Sequence, residues 1–183
     1  MGSARNENKG DQQVVRANAP ILLGLGANLP SPAHGSPKAT LERALGRLGE
    51  KGLRLLARSG WWESAPIPVS DQPWYVNGVA EIATTLGPEP LLALLHEIEA
   101  EFGRLRPYPN APRVLDLDLL AYGDMRRDGP KPPLLPHPRL AERGFVLLPL
   151  QEIQPAWHHP VSKRSLAEMI AALPAGQIVR PLP

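Results

Sequence analysis

The chain contains no cysteine, which excludes disulfide bridges and thiolate metal sites and suits a cytoplasmic protein without requiring one. Nowhere does it carry the run of about 20 apolar residues that a membrane-spanning helix needs. Its opening stretch, MGSARNENKGDQQVVRANA, lacks the apolar segment of a secretory signal. That stretch has little hydrophobic content and no periodicity, so residues 1–18 are expected to be a disordered tail. Neither sign of charge dominates: the formal net charge is +2, which permits a polyanionic ligand and does not demand one. Aromatics are scarce, at 5% of residues, so each one outside the core is informative. The remaining residues, 19–183, are expected to form a single domain, long enough to bury a proper core.

Hydrophobic periodicity sets the order of elements. APILLGLGANL reads as a buried strand over about residues 20–26, breaking in a tight turn at Gly26. Ser36 and Pro37 supply an N-cap and a first-turn proline, and Leu41, Ala44, Leu45 and Leu48 follow at helical spacing until Gly49 and Gly52. LRLLARSGWWES and WYVNGVAEIATTL read as two strands joined by the loop APIPVSDQP. PEPLLALLHEIEAEFG is an amphipathic helix with Leu91, Leu94, Leu95, Ile98 and Phe102 inward. A proline-rich loop leads to a last strand, PRVLDLDLLAYG. The order β-α-β-β-α-β predicts an α+β, ferredoxin-like fold, an antiparallel sheet with both helices on one face. A C-terminal extension follows, holding the segment AERGFVLLPLQEI and the short helix SLAEMIAALP.

The last strand poses the central question. Side chains on a strand alternate between faces, so Leu115, Leu117 and Leu119 share one side and Asp116 and Asp118 the other. Two carboxylates about 6.6 Å apart along the strand repel by roughly 2–3 kcal/mol at an effective dielectric near 20. A positive partner is therefore expected. Solvent exposure on an edge is the ordinary explanation for a lone D-x-D, but here the neighbours are apolar and Arg104, Arg106 and Arg113 lie just upstream. Hard carboxylate oxygens suit Mg²⁺, and planar guanidinium forks suit phosphate. GLGANL lacks the last glycine of a dinucleotide fingerprint and the Gly-Lys-Ser/Thr of a phosphate loop, so it is weak as a nucleotide signature.

Other candidates gain interest from their company. His137 shares a loop with Arg139, Arg143 and Phe145. His158 and His159 have no carboxylates at metal-ligand spacing, and His96 is expected on a helix surface. At least one of Trp61 and Trp62 is expected in the core, while Tyr75 opens a strand where a ring can stack on a flat heterocycle. An RNA-binding module would need paired aromatics on central strands and more basic residues, and two aspartates on its sheet would repel a phosphate backbone. A Mg-dependent phosphohydrolase would need a residue to activate water, and none stands out.

APRVLDLDLL, with GLGANL, DQPWYVNGV, IEAEFGR and LPHPRLAERGFVLLPL in that order, resembles the 6-hydroxymethyl-7,8-dihydropterin pyrophosphokinase family of folate biosynthesis, over about Ile21–Leu173. The resemblance implies pyrophosphate transfer from ATP to the hydroxymethyl group of a reduced pterin, leaving AMP, with no nucleic acid or membrane as partner. It implies two Mg²⁺ ions on Asp116 and Asp118, and catalytic roles for Arg104, Arg113, Arg143 and His137. Those four, with His96, Glu99 and Arg106, would contact ATP. Asn77 would hydrogen-bond the pterin, its ring would lie between Tyr75 and Phe145, and backbone groups at Ser64, Pro66 and Ile67 would read its amide edge. Gln72 would help close the site. Asn110 stands where many members carry tryptophan, Pro132 beside Lys131 where some carry a base, and Ala27 where serine is usual.

Overall fold

The computed structural model describes residues 19–103 and 111–183; the expectations for residues 1–18, Arg104, Arg106 and Asn110 lie outside them. The chain runs β1 (Ile21–Ala27), α1 (Pro37–Glu50), β2 (Arg54–Arg58), β3 (Trp62–Ser64), β4 (Tyr75–Ala83), α2 (Pro88–Glu101), β5 (Asp116–Tyr122), α3 (Gly144–Ile153), α4 (Leu166–Ala171) and β6 (Val179–Pro181), with a 3₁₀ turn at Leu140–Glu142 before α3. The sheet order is β5-β1-β4-β3-β6, with β2 also on β4, and all named pairs are antiparallel. The expected β-α-β-β-α-β order is present, and the fold is α+β.

Local chemistry sets the helix ends. Ser36 Oγ accepts from Ala39 N at 3.3 Å and Pro37 opens α1. The helix runs through Gly49, which was expected to stop it, and turns out at Gly52, whose φ of +87° suits glycine. The single strand expected over LRLLARSGWWES is two, because Ser59–Trp61 leaves the ladder. There Ser59 Oγ accepts from Val79 N at 3.0 Å, and Glu152 of α3 accepts from Gly60 N and Trp62 Nε1, both at 2.6 Å. Side chains thus replace the missing ladder bonds. Trp61 is in the core, packed so closely on Gly78 that an added Cβ there would lie 2.8 Å from its ring.

Two apolar layers flank the sheet. On one face Leu23, Leu25, Leu115, Leu117 and Leu119 pack with Leu41 and Leu48 of α1 and Leu91, Leu95 and Ile98 of α2. On the other, Leu22, Val79 and Leu120 pack with Val146, Leu147 and Leu150 of α3 and Leu166 and Met169 of α4. The C-terminal extension therefore covers part of the second face and leaves a cleft beside the α3 N-terminus.

At the surface, Arg47 donates to Glu101 at 2.7 and 3.0 Å, and Lys51 pairs with Glu97 and Glu101, tying α1 to α2. The hydrogen bonds from Arg47 hold the Glu101 carboxyl down at about 2, below its ordinary 4.5. A lowered carboxyl adds stability above its unfolded pKa and loses it as pH falls through the folded one. Thermal melts should therefore find Glu101→Gln less stable than the parent at about pH 6, with the gap closing toward pH 2. The effect will be small, since the tie is exposed. An unchanged gap across that range would contradict the assignment.

Candidate active site

The cleft is built on glycine. Gly26 of β1 stands between Asn77 of β4 and Asp116 of β5, and Gly24 stands between Val79 and Asp118. A Cβ added at Gly26 would lie 3.6 Å from Asn77 Oδ1 and 3.8 Å from Asp116 Cβ; one at Gly24 would lie 3.3 Å from Leu120. GLGANL was expected to be a turn off the first strand, but β1 runs straight through both glycines to Ala27. Their use is missing volume: the central strand dips where its neighbours carry polar side chains, making a trough across three strands.

Among the described residues, Asp116 and Asp118 each pair with an arginine. Arg113 Nη1 donates to Asp116 Oδ2 at 2.6 Å, and Arg143 Nη1 donates to Asp118 Oδ2 at 3.1 Å. Arg113 comes from the segment entering β5, and Arg143 is the N-cap residue of α3. Burial alone would lower the Arg113 pKa, but Asp116 raises it overall; at Arg143 burial prevails and lowers it in spite of Asp118. Both guanidinium groups stay charged. Arg143 Nε is buried without an acceptor among the described residues, so Asp118 does not satisfy the whole guanidinium.

A divalent cation fits this donor set. No group of three or more His, Asp or Glu gathers among the described residues, so these residues do not by themselves build an ion cage. Two hard carboxylates on adjacent rows of one trough leave most of an octahedral shell to water and phosphate oxygens, the way Mg²⁺ is commonly held.

The cleft as a whole has a volume of about 840 Å³, and Ser64, Pro66, Ile67, Tyr75, Asn77 and Phe145 all line it with Asp116, Asp118, Arg113 and Arg143. Asn77, only 5% exposed, donates through Nδ2 to Ser64 Oγ at 2.9 Å, which fixes its amide orientation with Oδ1 over Gly26. Tyr75 donates its hydroxyl to Gln72 Oε1 at 3.2 Å, and the Arg143 guanidinium stands 5.6 Å from the Phe145 ring centre. The cleft thus offers flat rings and amide groups beside a positively buffered carboxylate pair.

Three candidates stand elsewhere. His96 is exposed on α2 and Glu99 is buried at 2% exposure; neither lines the cleft. Glu99 Oε1 accepts from Leu117 N at 2.7 Å, so it grips the β5 backbone between the two aspartates. His137 is half-buried, its Nδ1 accepting from Arg139 N at 3.1 Å. Burial lowers its pKa, against the pull of Asp118 and with a push from Arg143 and Arg139.

Sequence reasoning missed two supports. Buried Asn28 donates to Pro73 O at 3.1 Å while its Oδ1 accepts from Arg113 N at 2.8 Å, joining the end of β1 to both loops that flank the trough. An asparagine directly after a strand was the available signal. The other is the C-terminal stretch Pro174–Ile178, which forms a wall of the cleft and carries no motif.

With this geometry in place, similarity to known proteins is specific. The family model for 7,8-dihydro-6-hydroxymethylpterin-pyrophosphokinase matches residues 22–155. The 2-amino-4-hydroxy-6-hydroxymethyldihydropteridine pyrophosphokinase of Pseudomonas aeruginosa is 41% identical over 160 residues, covering 87% of this chain and 95% of that protein. The folic acid synthesis protein fol1 of Pneumocystis carinii is 37% identical over 150 residues, 82% of this chain, but the chain spans only 20% of that longer protein. Among solved structures, wild-type HPPK-DHPS of Plasmodium falciparum aligns with a TM-score of 0.63 at 14% identity, covering 84% of this chain and 41% of that one. That likeness speaks for the fold, whereas the sequence matches speak for descent. Running as they do from the first buried strand past α3, they establish that the chain belongs to the 7,8-dihydro-6-hydroxymethylpterin-pyrophosphokinase family.

Proposed function

We propose that this protein transfers the terminal diphosphate of ATP to the hydroxymethyl oxygen of 6-hydroxymethyl-7,8-dihydropterin, giving AMP and the pterin diphosphate. The observation that carries the reading is the trough itself. Asp116 and Asp118, each paired with an arginine, share one floor with Asn77, Ser64 and two aromatic rings. Phosphate chemistry and recognition of a flat amide heterocycle are thereby a few residues apart. The family membership supports the same substrates.

In this reading Asp116 and Asp118 hold two Mg²⁺ ions, which supply charge neutralisation along the triphosphate. The chain's own groups then have distinct tasks. Arg113 and Arg143, both lining the cleft, bind phosphate oxygens and steady charge on the departing AMP. Asn77 presents Oδ1 to a pterin N–H, its other end held by Ser64. Tyr75 and Phe145 stack the ring and aim the hydroxymethyl oxygen at the β-phosphorus. That oxygen forms the new P–O bond, the bond from β-phosphorus to the α,β-bridging oxygen breaks, AMP departs with that oxygen, and the hydroxyl proton passes to solvent. Glu99 serves by holding β5 in place, and His137 and the arginines outside the described residues, Arg104 and Arg106, belong to the phosphate side. His96 is assigned the nucleotide end on family resemblance alone. Residues 19–183 act as one domain, since β6 pairs with β3 and α3 packs on β4. We place the protein in the cytoplasm; no helix among the described residues is long and apolar enough to cross a membrane.

Incubation with ATP, Mg²⁺ and the hydroxymethyl-dihydropterin should yield AMP and pterin diphosphate in equal amounts. ADP would mean attack at the γ-phosphorus, and AMP with free pyrophosphate in the absence of pterin would mean hydrolysis. Either product pattern would defeat the proposal.

A further inference from the structure

One wall of the cleft belongs neither to the trough nor to α3. Pro174–Ile178 lines it, in a part of the chain beyond the residues that match the family model. Within it, Gln177 Oε1 accepts from Gly144 N at 2.8 Å while Gln177 Nε2 donates to Glu142 O at 2.8 Å. One carboxamide therefore spans the turn that carries Arg143. That turn has no local support of this kind: Arg143 is the N-cap of α3, and its side chain makes no capping bond. Gln177 supplies the missing acceptor for the first helical N–H from across the fold. The fit is close, since a Cβ on Gly144 would lie 3.2 Å from Gln177 Oε1 and 3.4 Å from both Leu173 and Val179.

The same stretch is bonded to the opposite wall. Ala65 N donates to Ile178 O at 3.1 Å, and Val179 pairs with Ser64 in the β3–β6 ladder. A single short run of backbone thus joins the Ser64–Pro66 wall to the turn bearing Arg143 and Phe145. We infer that Gln177 is a positioning residue that sets the width of the slot for the flat ring, by fixing the Arg143–Phe145 turn against the Ser64 wall. Both ends of the amide are needed, because glutamate could accept from Gly144 but could not donate to the Glu142 carbonyl. The inference deepens the pterin-transfer reading and rests on it.

The test uses the full chain with separate titrations of ATP and pterin. Gln177→Met, similar in length and without these hydrogen bonds, should raise the pterin KM about tenfold or more, as a small misplacement of a binding wall does. The ATP KM should rise less, by about threefold, because Arg143 on the same turn is only one of several phosphate contacts whereas the slot width bears on the whole ring. Gln177→Glu should fall between the two. Gly144→Ala, which pushes a methyl toward Gln177 Oε1, should give the same pterin-selective loss and add little when combined with Gln177→Met, because both act through one contact. It also carries the test should Gln177→Met fail to fold. A parallel rise in both KM values, a loss confined to kcat, or an unshifted pterin KM would overturn the inference. A parent protein inert toward the pterin would sink the functional reading and this inference together, whereas an active parent with unshifted variants would sink this inference alone.

Discussion

Asp118→Asn is expected to lower turnover by about a thousandfold or more while the protein still folds, and Asp116→Asn to behave alike. The size follows from what the charge does. An amide keeps the shape and can still accept from Arg143, now 3.1 Å from the carboxylate, but it is a poor ligand for a hard dication. Removing one preorganised electrostatic group from a phosphoryl-type site commonly costs 10²–10³ in rate, and here loss of the ligand also weakens retention of an ion that adds several kcal/mol of its own. Stability should fall only slightly, by about 1 kcal/mol, as a charge-assisted hydrogen bond is exchanged for a neutral one. Relief of carboxylate repulsion does not offset this, because each aspartate already has its arginine. Steady-state rates across a Mg²⁺ titration, read beside a thermal melt, decide the matter. Near-normal rates in either variant would remove the carboxylates from the metal site, and unfolding of both would make them structural.

Gly26→Val should separate folding from function more sharply still. Valine favours strands, and glycine in a strand interior is destabilising by about 0.5–1 kcal/mol relative to alanine, so the variant should melt no lower than the parent. Yet its Cβ would lie within 4 Å of both Asn77 Oδ1 and Asp116 Cβ, and its two methyl groups would fill the trough between them. Pterin binding, followed by ligand fluorescence, should weaken about a hundredfold or more, on the scale that small misplacements cause. Gly26→Ala should do so less. Undiminished pterin affinity in the valine variant would mean that the ring does not rest on this floor.

What was legible in the sequence divides along physical lines. The alternation that put Leu115, Leu117 and Leu119 in the core and both aspartates on the other face is a property of the strand backbone alone, and it held. Ser36 with Pro37 announced α1 for an equally local reason. GLGANL misled because glycine has two uses, φ freedom and absence of volume, and a sequence does not say which; only the neighbours across β4 and β5 do. The break at Ser59–Trp61 was hidden because Glu152, which satisfies it, lies far along the chain. Arg113 was a local expectation for the acidic pair, but the capture of Asp118 by Arg143 and the brace from Gln177 depend on how the C-terminal extension lies on the sheet. No periodicity reports that.

Glu99 has a consequence beyond the site. β5 is the terminal strand of the sheet among the described residues, and a terminal strand offers outward N–H groups to any other strand that drifts near, the first step toward aggregation. On β5 the outward N–H of Leu117 is already taken by a buried carboxylate. An incoming strand would have to displace that bond, and a buried hydrogen bond to a charged group is worth about 1.5–3 kcal/mol. The residue that steadies the acidic strand is thus also a guard on the rim of the sheet, keeping a leucine-rich segment from serving as a template for its own kind.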